Sequence, residues 1–123
     1  MKSLEEYNVY KDSEDEFSFL LRMNFRWDDA EYQRMIGLIR NVFREYRDEV
    51  LIPKDVVYFF TGEIDFIVGT VSKDVFFTIA PEGFTMEEYE KLISKRKSEL
   101  LELKKMFFAG DFFNLSLHSF FIE

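Results

Sequence analysis

The chain has 123 residues, 47% apolar and 19% aromatic, with a formal net charge of −8 and no cysteine. That length and apolar content suit one domain, residues 1–123, able to bury a core without disulfides or metal. The absence of cysteine excludes a disulfide scaffold, a thiol nucleophile and a thiolate zinc site, and the negative charge argues against a phosphate backbone as partner.

Residues 1–15 are polar and acidic, with Tyr7, Val9 and Tyr10 as their apolar cluster, and read as a flexible acidic arm or a short edge strand. No apolar segment ahead of a cleavage site is visible there, and the longest uncharged run, 112–122, falls far short of the ~20 residues of a membrane span. A cytoplasmic protein without membrane contact is the expectation. From 16 to 26, Phe17, Phe19, Leu21, Met23 and Phe25 alternate with mostly polar residues, the period of a half-buried strand. Asp28 then offers an N-cap, Glu31 a capping-box partner, and Trp27 and Tyr32 a hydrophobic staple. Tyr32, Met35, Ile36, Ile39, Val42, Phe43, Tyr46 and Val50 follow at helical spacing, predicting a helix near 28–50.

Pro53 at a first helical position and Gly62 just past an end predict a short helix at 53–61, against the strand-forming character of Val56, Val57, Tyr58, Phe59 and Phe60. Helical spacing also runs from Val57 to Val71, but β-branched density and two glycines weigh against one long helix. A hairpin is preferred, with strands near 63–71 and 75–80 and a turn at Ser72, Lys73 and Asp74. Thr85 and Glu88 form a second capping-box pattern, and Gly110 suits a C-terminal cap, which brackets a long helix near 85–109. Alternation through Phe113, Leu115 and Leu117 predicts a last strand near 111–122. The expected fold class is therefore α+β: an antiparallel sheet of about four strands with two long helices on one face.

Candidates for chemistry are few. His118, the one histidine, lies near Ser116 and Ser119, but a packing or surface role outweighs a nucleophilic one without an orienting third group. Residues 12–16 are acidic yet lack the central glycine and spaced glutamate of a calcium loop, so no metal is expected. The five glycines are isolated and cradle no phosphate, and no cofactor is implied. Carboxylate pairs are inevitable among 24 acids, so a small carboxylate-dependent enzyme is the weakest function class. Arg40, Arg44 and Arg47 share a helix face and read as a solvated flank; Arg96 interrupts an apolar seam and reads as a long stem with its charge in water.

The Phe-Phe doublets at 59–60, 76–77, 107–108, 112–113 and 120–121 carry the most information. In a strand, adjacent residues face opposite sides, so the doublets at 76–77, 112–113 and 120–121, which fall in expected strands, put a phenyl ring on both faces of a sheet, and a face left uncovered marks an interface. Acidic side chains beside such a face would attract a basic protein partner. Asp12, Glu14, Asp15, Glu16, Phe112 and Phe120 are accordingly the candidate partner-binding residues. In size, acidity, lack of cysteine and aromatic content the chain resembles immunity proteins of bacterial toxin systems, and the resemblance implies neutralisation of a partner by occlusion. A homodimer or other homo-oligomeric adaptor, using the same aromatics against its own copy, is the alternative.

Overall fold

The computed structural model describes residues 2–46 and 52–112, and among them there is no strand. The α+β expectation is corrected to an all-helical arrangement of the described residues. Its helices are α1 (Lys2–Lys11), α2 (Phe17–Asn24), α3 (Asp29–Tyr46), α4 (Lys54–Tyr58), α5 (Ile64–Val71) and α6 (Met86–Phe108). A π-turn (Phe59–Glu63) joins α4 to α5, and a 3₁₀ turn (Asp74–Phe77) follows α5.

Residues 2–11 form α1 rather than a free arm. Tyr7 and Tyr10 lie on the buried side of α1, which packs on α3. The Ser3 amide donates to Glu45 Oε2 at 3.0 Å, and the Tyr10 hydroxyl donates to the Glu31 carbonyl at 3.1 Å. These contacts pair the start of α1 with the end of α3 and the reverse, so the two helices are antiparallel. Tyr10 also accepts the Phe17 amide at 3.0 Å, tying α1 to the start of α2.

The segment 16–26 is a helix where a strand was expected. Phe17 and Leu21 are buried, whereas Phe19, Met23 and Phe25 are exposed. Positions four apart fit a period of two and a helical turn equally well, so eight residues of alternation do not separate the two periods. Glu16 decides locally: its carboxylate accepts the Ser18 and Phe19 amides and caps α2.

The helix expected over 28–50 is present as α3, residues 47–50 lying outside the described residues. Asp28 Oδ1 accepts the Glu31 amide at 3.1 Å, and the Trp27 and Tyr32 rings meet at 5.1 Å, as the cap and staple pattern implied.

Residues 54–71 form one continuous helical run, which corrects the strand expected at 63–71 and bears out the short helix at 53–61 as its first part. Val56, Phe59, Phe60, Ile64, Ile67 and Val71 are all buried along it. Burying each such side chain contributes about 1.5–3 kcal/mol, against propensity costs of a few tenths for each β-branched residue, so tertiary packing overrides propensity. The Ile64 amide donates to the Phe59 carbonyl, five residues back, which is the π-turn. Gly62 is not a helix stop: a Cβ there would sit 2.8 Å from Tyr58 Cε2, so glycine lets the Tyr58 ring lie against the backbone. The second expected hairpin strand, 75–80, begins instead in the 3₁₀ turn.

The helix expected near 85–109 is α6. Both hydrogen bonds of the Thr85–Glu88 capping box form, at 2.9 and 3.1 Å. Replacing Thr85 by Ala should lower the unfolding free energy by about 1 kcal/mol in urea titrations, because it strands an amide of the first turn. At the other end Gly110 takes φ +75°, its amide reaching the Phe107 carbonyl and that of Asp111 the Met106 carbonyl, both at 3.0 Å. This is a Schellman cap. Of the strand expected at 111–122, only Asp111 and Phe112 are described, and neither is extended into a ladder. The contacts Asp29–Arg96, Tyr32–Glu99 and Phe43–Phe107 advance together, so α6 runs parallel to α3, and Asp65–Lys104 with Phe60–Phe107 sets α5 antiparallel to α6. The core between them is aromatic and aliphatic, centred on Phe43, Phe59, Phe60, Ile64 and Leu100.

Candidate protein-docking site

Helix α2 ends on an unusual residue. Phe25 takes φ 50° and ψ 40°, the left-handed region, and its amide returns to the Leu21 carbonyl at 3.0 Å. Glycine is the common residue at such a cap, because a Cβ there crowds the backbone. The Phe25 ring packs edge-on against Phe76 of the 3₁₀ turn, centroids 5.2 Å apart, and remains 41% exposed. Phe76 is buried and stacks on Tyr89 of α6 at 5.7 Å, and the Tyr89 hydroxyl accepts the Trp27 amide at 3.2 Å. The end of α2, the 3₁₀ turn and α6 thus hold one another.

Around this contact runs a groove of about 480 Å³, lined by Asn24, Phe25, Arg26, Phe76 and the aliphatic Val75 and Ile79. Val75 is 61% and Ile79 80% exposed. Beyond them Pro81–Phe84 makes a tight turn, the Phe84 amide donating to the Pro81 carbonyl at 3.1 Å with Gly83 at φ +88°, as the third position of a type II turn requires. No family model, curated protein or solved structure matches this chain. A second cleft of about 530 Å³ between α1 and α3 exposes Val9 beside Leu38, but charged Lys2, Glu5, Glu6 and Arg34 also line it.

The candidate residues drawn from the sequence are dispersed. Asp12, Glu14 and Asp15 are exposed between α1 and α2, whereas Glu16 is buried and caps α2. Phe112 is half-buried and lies against Phe43 at 5.7 Å and Phe107 at 5.6 Å. Phe120, Ser116, His118 and Ser119 lie outside the described residues. The doublet argument fails at 76–77, which lies in a 3₁₀ turn rather than a strand, with Phe76 buried, while Phe113, Phe120 and Phe121 lie outside the described residues. Phe25, Val75 and Ile79 were missed because the alternation placed Phe25 on a core face and 75–80 in a strand. A left-handed phenylalanine leaves no mark in sequence.

A network of charged side chains is spent inside the fold. Arg96 is 2% exposed, not a snorkelling stem. Its guanidinium grips Asp29 through Nε and Nη2, both at 2.9 Å, and donates from Nη1 to Glu99 at 3.0 and 3.2 Å. Trp27 Nε1 also donates to Asp29, the Tyr32 hydroxyl donates to Glu99, and the Tyr32 ring lies 5.3 Å from the guanidinium. Burial alone would raise Asp29, but hydrogen bonds from Arg96, Trp27 and Gln33 outweigh it and hold the carboxyl below its usual range. Burial and then Glu99 push the Tyr32 hydroxyl up. On α3, Arg44 is exposed and Arg40 half-buried, with Arg40 Nε and Nη1 finding no acceptor among the described residues; Arg47 lies outside them. Among the described residues no three acids or histidines gather as metal ligands, and no helix is long and apolar enough to cross a membrane.

Proposed function

We propose that this chain is a cytoplasmic protein-binding module that seats apolar side chains of a partner in the groove between the end of α2 and the 3₁₀ turn. The left-handed Phe25 carries the reading. A non-glycine residue held there costs about 1–3 kcal/mol, and glycine would close α2 without that cost, so retaining an aromatic ring implies a use for the ring. Val75 and Ile79 extend the same surface, and binding energy at an interface concentrates in a few anchors surrounded by contacts that exclude water. The net charge of −8 and the exposed Asp12, Glu14 and Asp15 favour a basic partner by speeding encounter. Occlusion of a basic toxin domain is the specific form suggested by the build shared with immunity proteins.

The test is a comparison of baits in host cytosol: the wild-type chain, Ile79→Asp, and Val9→Asp as a control in the other cleft. One stoichiometric basic partner, kept by wild type and Val9→Asp and reduced at least about tenfold by Ile79→Asp, is expected. Equal capture by all three sinks the groove as the docking site. Concentration-dependent dimerisation in sedimentation, abolished by Ile79→Asp, would instead support a homo-oligomeric adaptor. Phe25→Gly separates binding from folding. It should leave stability within about 1 kcal/mol of wild type, relieved strain offsetting lost ring contact, while weakening the partner at least about tenfold.

A further inference from the structure

Arg40 and Arg44 stand one turn apart on α3. The Arg40 side chain is half-buried and so reachable from solvent, yet its Nε and Nη1 are shielded and find no acceptor among the described residues. A guanidinium only donates, so each shielded N–H without an acceptor is destabilising. The other arginines set the contrast. Arg96 places Nε, Nη1 and Nη2 on Asp29 and Glu99. Arg34, earlier on α3, pairs with Glu31 at 3.6 Å and lies over the Tyr10 ring at 4.8 Å.

The surroundings favour an anion from outside the fold. Helical side chains lean over the turn before them, and the turn before Arg40 carries Gly37. A Cβ at Gly37 would meet nothing within 4 Å, so there is open space on that side. Burial first, then the neighbouring charge of Arg44, hold the Arg40 guanidinium below its usual range. Side chains at i and i+4 start about 5–6 Å apart, which lets two guanidiniums converge on one group. A carboxylate carries one charge and leaves the pair positive. A phosphate monoester carries nearly two, with three acceptor oxygens, and serves both arginines at once. The net charge of −8 repels a long polyanion. Exposed charges more than about 10 Å away are largely screened, so a single phosphate answers to the local pair.

We propose that Arg40 and Arg44 form a site for one phosphate group, that of a small ester or of a phosphorylated side chain, with Arg40 supplying donors that the described fold leaves without acceptors. The site shares no residue with the Phe25 groove and does not depend on it.

The test follows the Arg40 Nε–H signal by nitrogen-15 NMR in the full chain at about pH 7, where phosphate is largely dianionic. Inorganic phosphate, acetate and a phosphoserine peptide are titrated separately, at matched ionic strength, into wild type, Arg44→Gln and Arg34→Gln. Phosphate should shift the wild-type signal to saturation, and acetate should not. Arg44→Gln should weaken phosphate at least about tenfold, the loss of one charged donor group, and Arg34→Gln should leave it unchanged. A peptide bound more tightly than phosphate assigns the group to a phosphorylated side chain, and one bound no more tightly assigns it to a small ester. Urea midpoints of wild type and Arg40→Met give a second readout. Phosphate should raise the first and leave the second in place. In phosphate-free buffer Arg40→Met should be no less stable than wild type, because no bond within the fold is lost. A signal that does not saturate, an equal response to acetate, or binding indifferent to Arg44→Gln overturns the proposal. So does a lowered Arg40→Met midpoint without phosphate, which would show the guanidinium already paired within the chain.

Discussion

Replacing Arg96 by Met should lower the unfolding free energy by about 3–5 kcal/mol, read as a shifted urea midpoint with an unchanged slope. Methionine restores much of the volume, so the loss is electrostatic more than steric. Without the guanidinium, Glu99 is left buried with the Tyr32 hydroxyl as its donor, and Asp29 with those of Trp27 and Gln33. Uncompensated buried charge is the expensive outcome, more than the loss of the bridge itself. Two further results should follow. The double variant Arg96→Met, Glu99→Leu should recover part of the loss, because removing both partners leaves no orphan charge there. The acid limb should also flatten in the single variant. In wild type Asp29 is held below the usual carboxyl range, so its contribution is present above that range and is lost as pH falls through the depressed value. A loss below about 1 kcal/mol in Arg96→Met would place the network at a wet surface, contrary to its burial.

Truncation of Phe60 to Ala should cost a similar amount, about 3–5 kcal/mol, through a cavity. The ring is fully buried and stacks on Phe107 at 4.4 Å with the planes 1° apart. It meets Phe43 edge-on at 5.6 Å and Phe59 at 5.1 Å. It therefore joins the π-turn, α3 and α6, and the walls of the cavity would belong to separate helices that cannot all close in. Phe60→Leu should cost much less than Phe60→Ala, and Phe108→Ala, at an exposed position one residue past Phe107, should stay within about 0.5 kcal/mol of wild type. Equal losses from Phe60→Ala and Phe108→Ala would contradict the stacking. Thermal melts and urea titrations at one pH suffice for the comparison.

Some of this structure was legible in the sequence because its causes are local. The Thr85–Glu88 box, the Asp28 cap, the Trp27–Tyr32 staple and the Gly110 terminus each involve residues within a few positions, and each forms as its pattern implied. The apolar face of α3 is legible for the same reason: a long periodic segment separates a helical period from a strand period. Shorter segments did not. Phe17 to Phe25 alternates at period two, yet the chain buries only Phe17 and Leu21 of that series. The run from Val57 to Val71 has helical spacing, but its β-branched residues and glycines outweighed that spacing in the reading, until the packing of both Phe59 and Phe60 settled it.

The candidate site was less legible still. That Arg96 would be buried depends on Asp29, 67 residues away, offering two carboxylate oxygens at the right place. The Phe25 groove depends on a left-handed cap and on the 3₁₀ turn that meets it. The sequence by itself determined an acidic, cysteine-free, aromatic-rich chain with two well-capped long helices, because composition and near-neighbour patterns act without the fold. Only the tertiary structure decided that 17–24 and 54–71 are helical, that Arg96 and Glu16 are interior, and that Phe25, Val75 and Ile79 face outward. Burial is a relation between segments distant in sequence, and its free energy exceeds the local preferences it overrides.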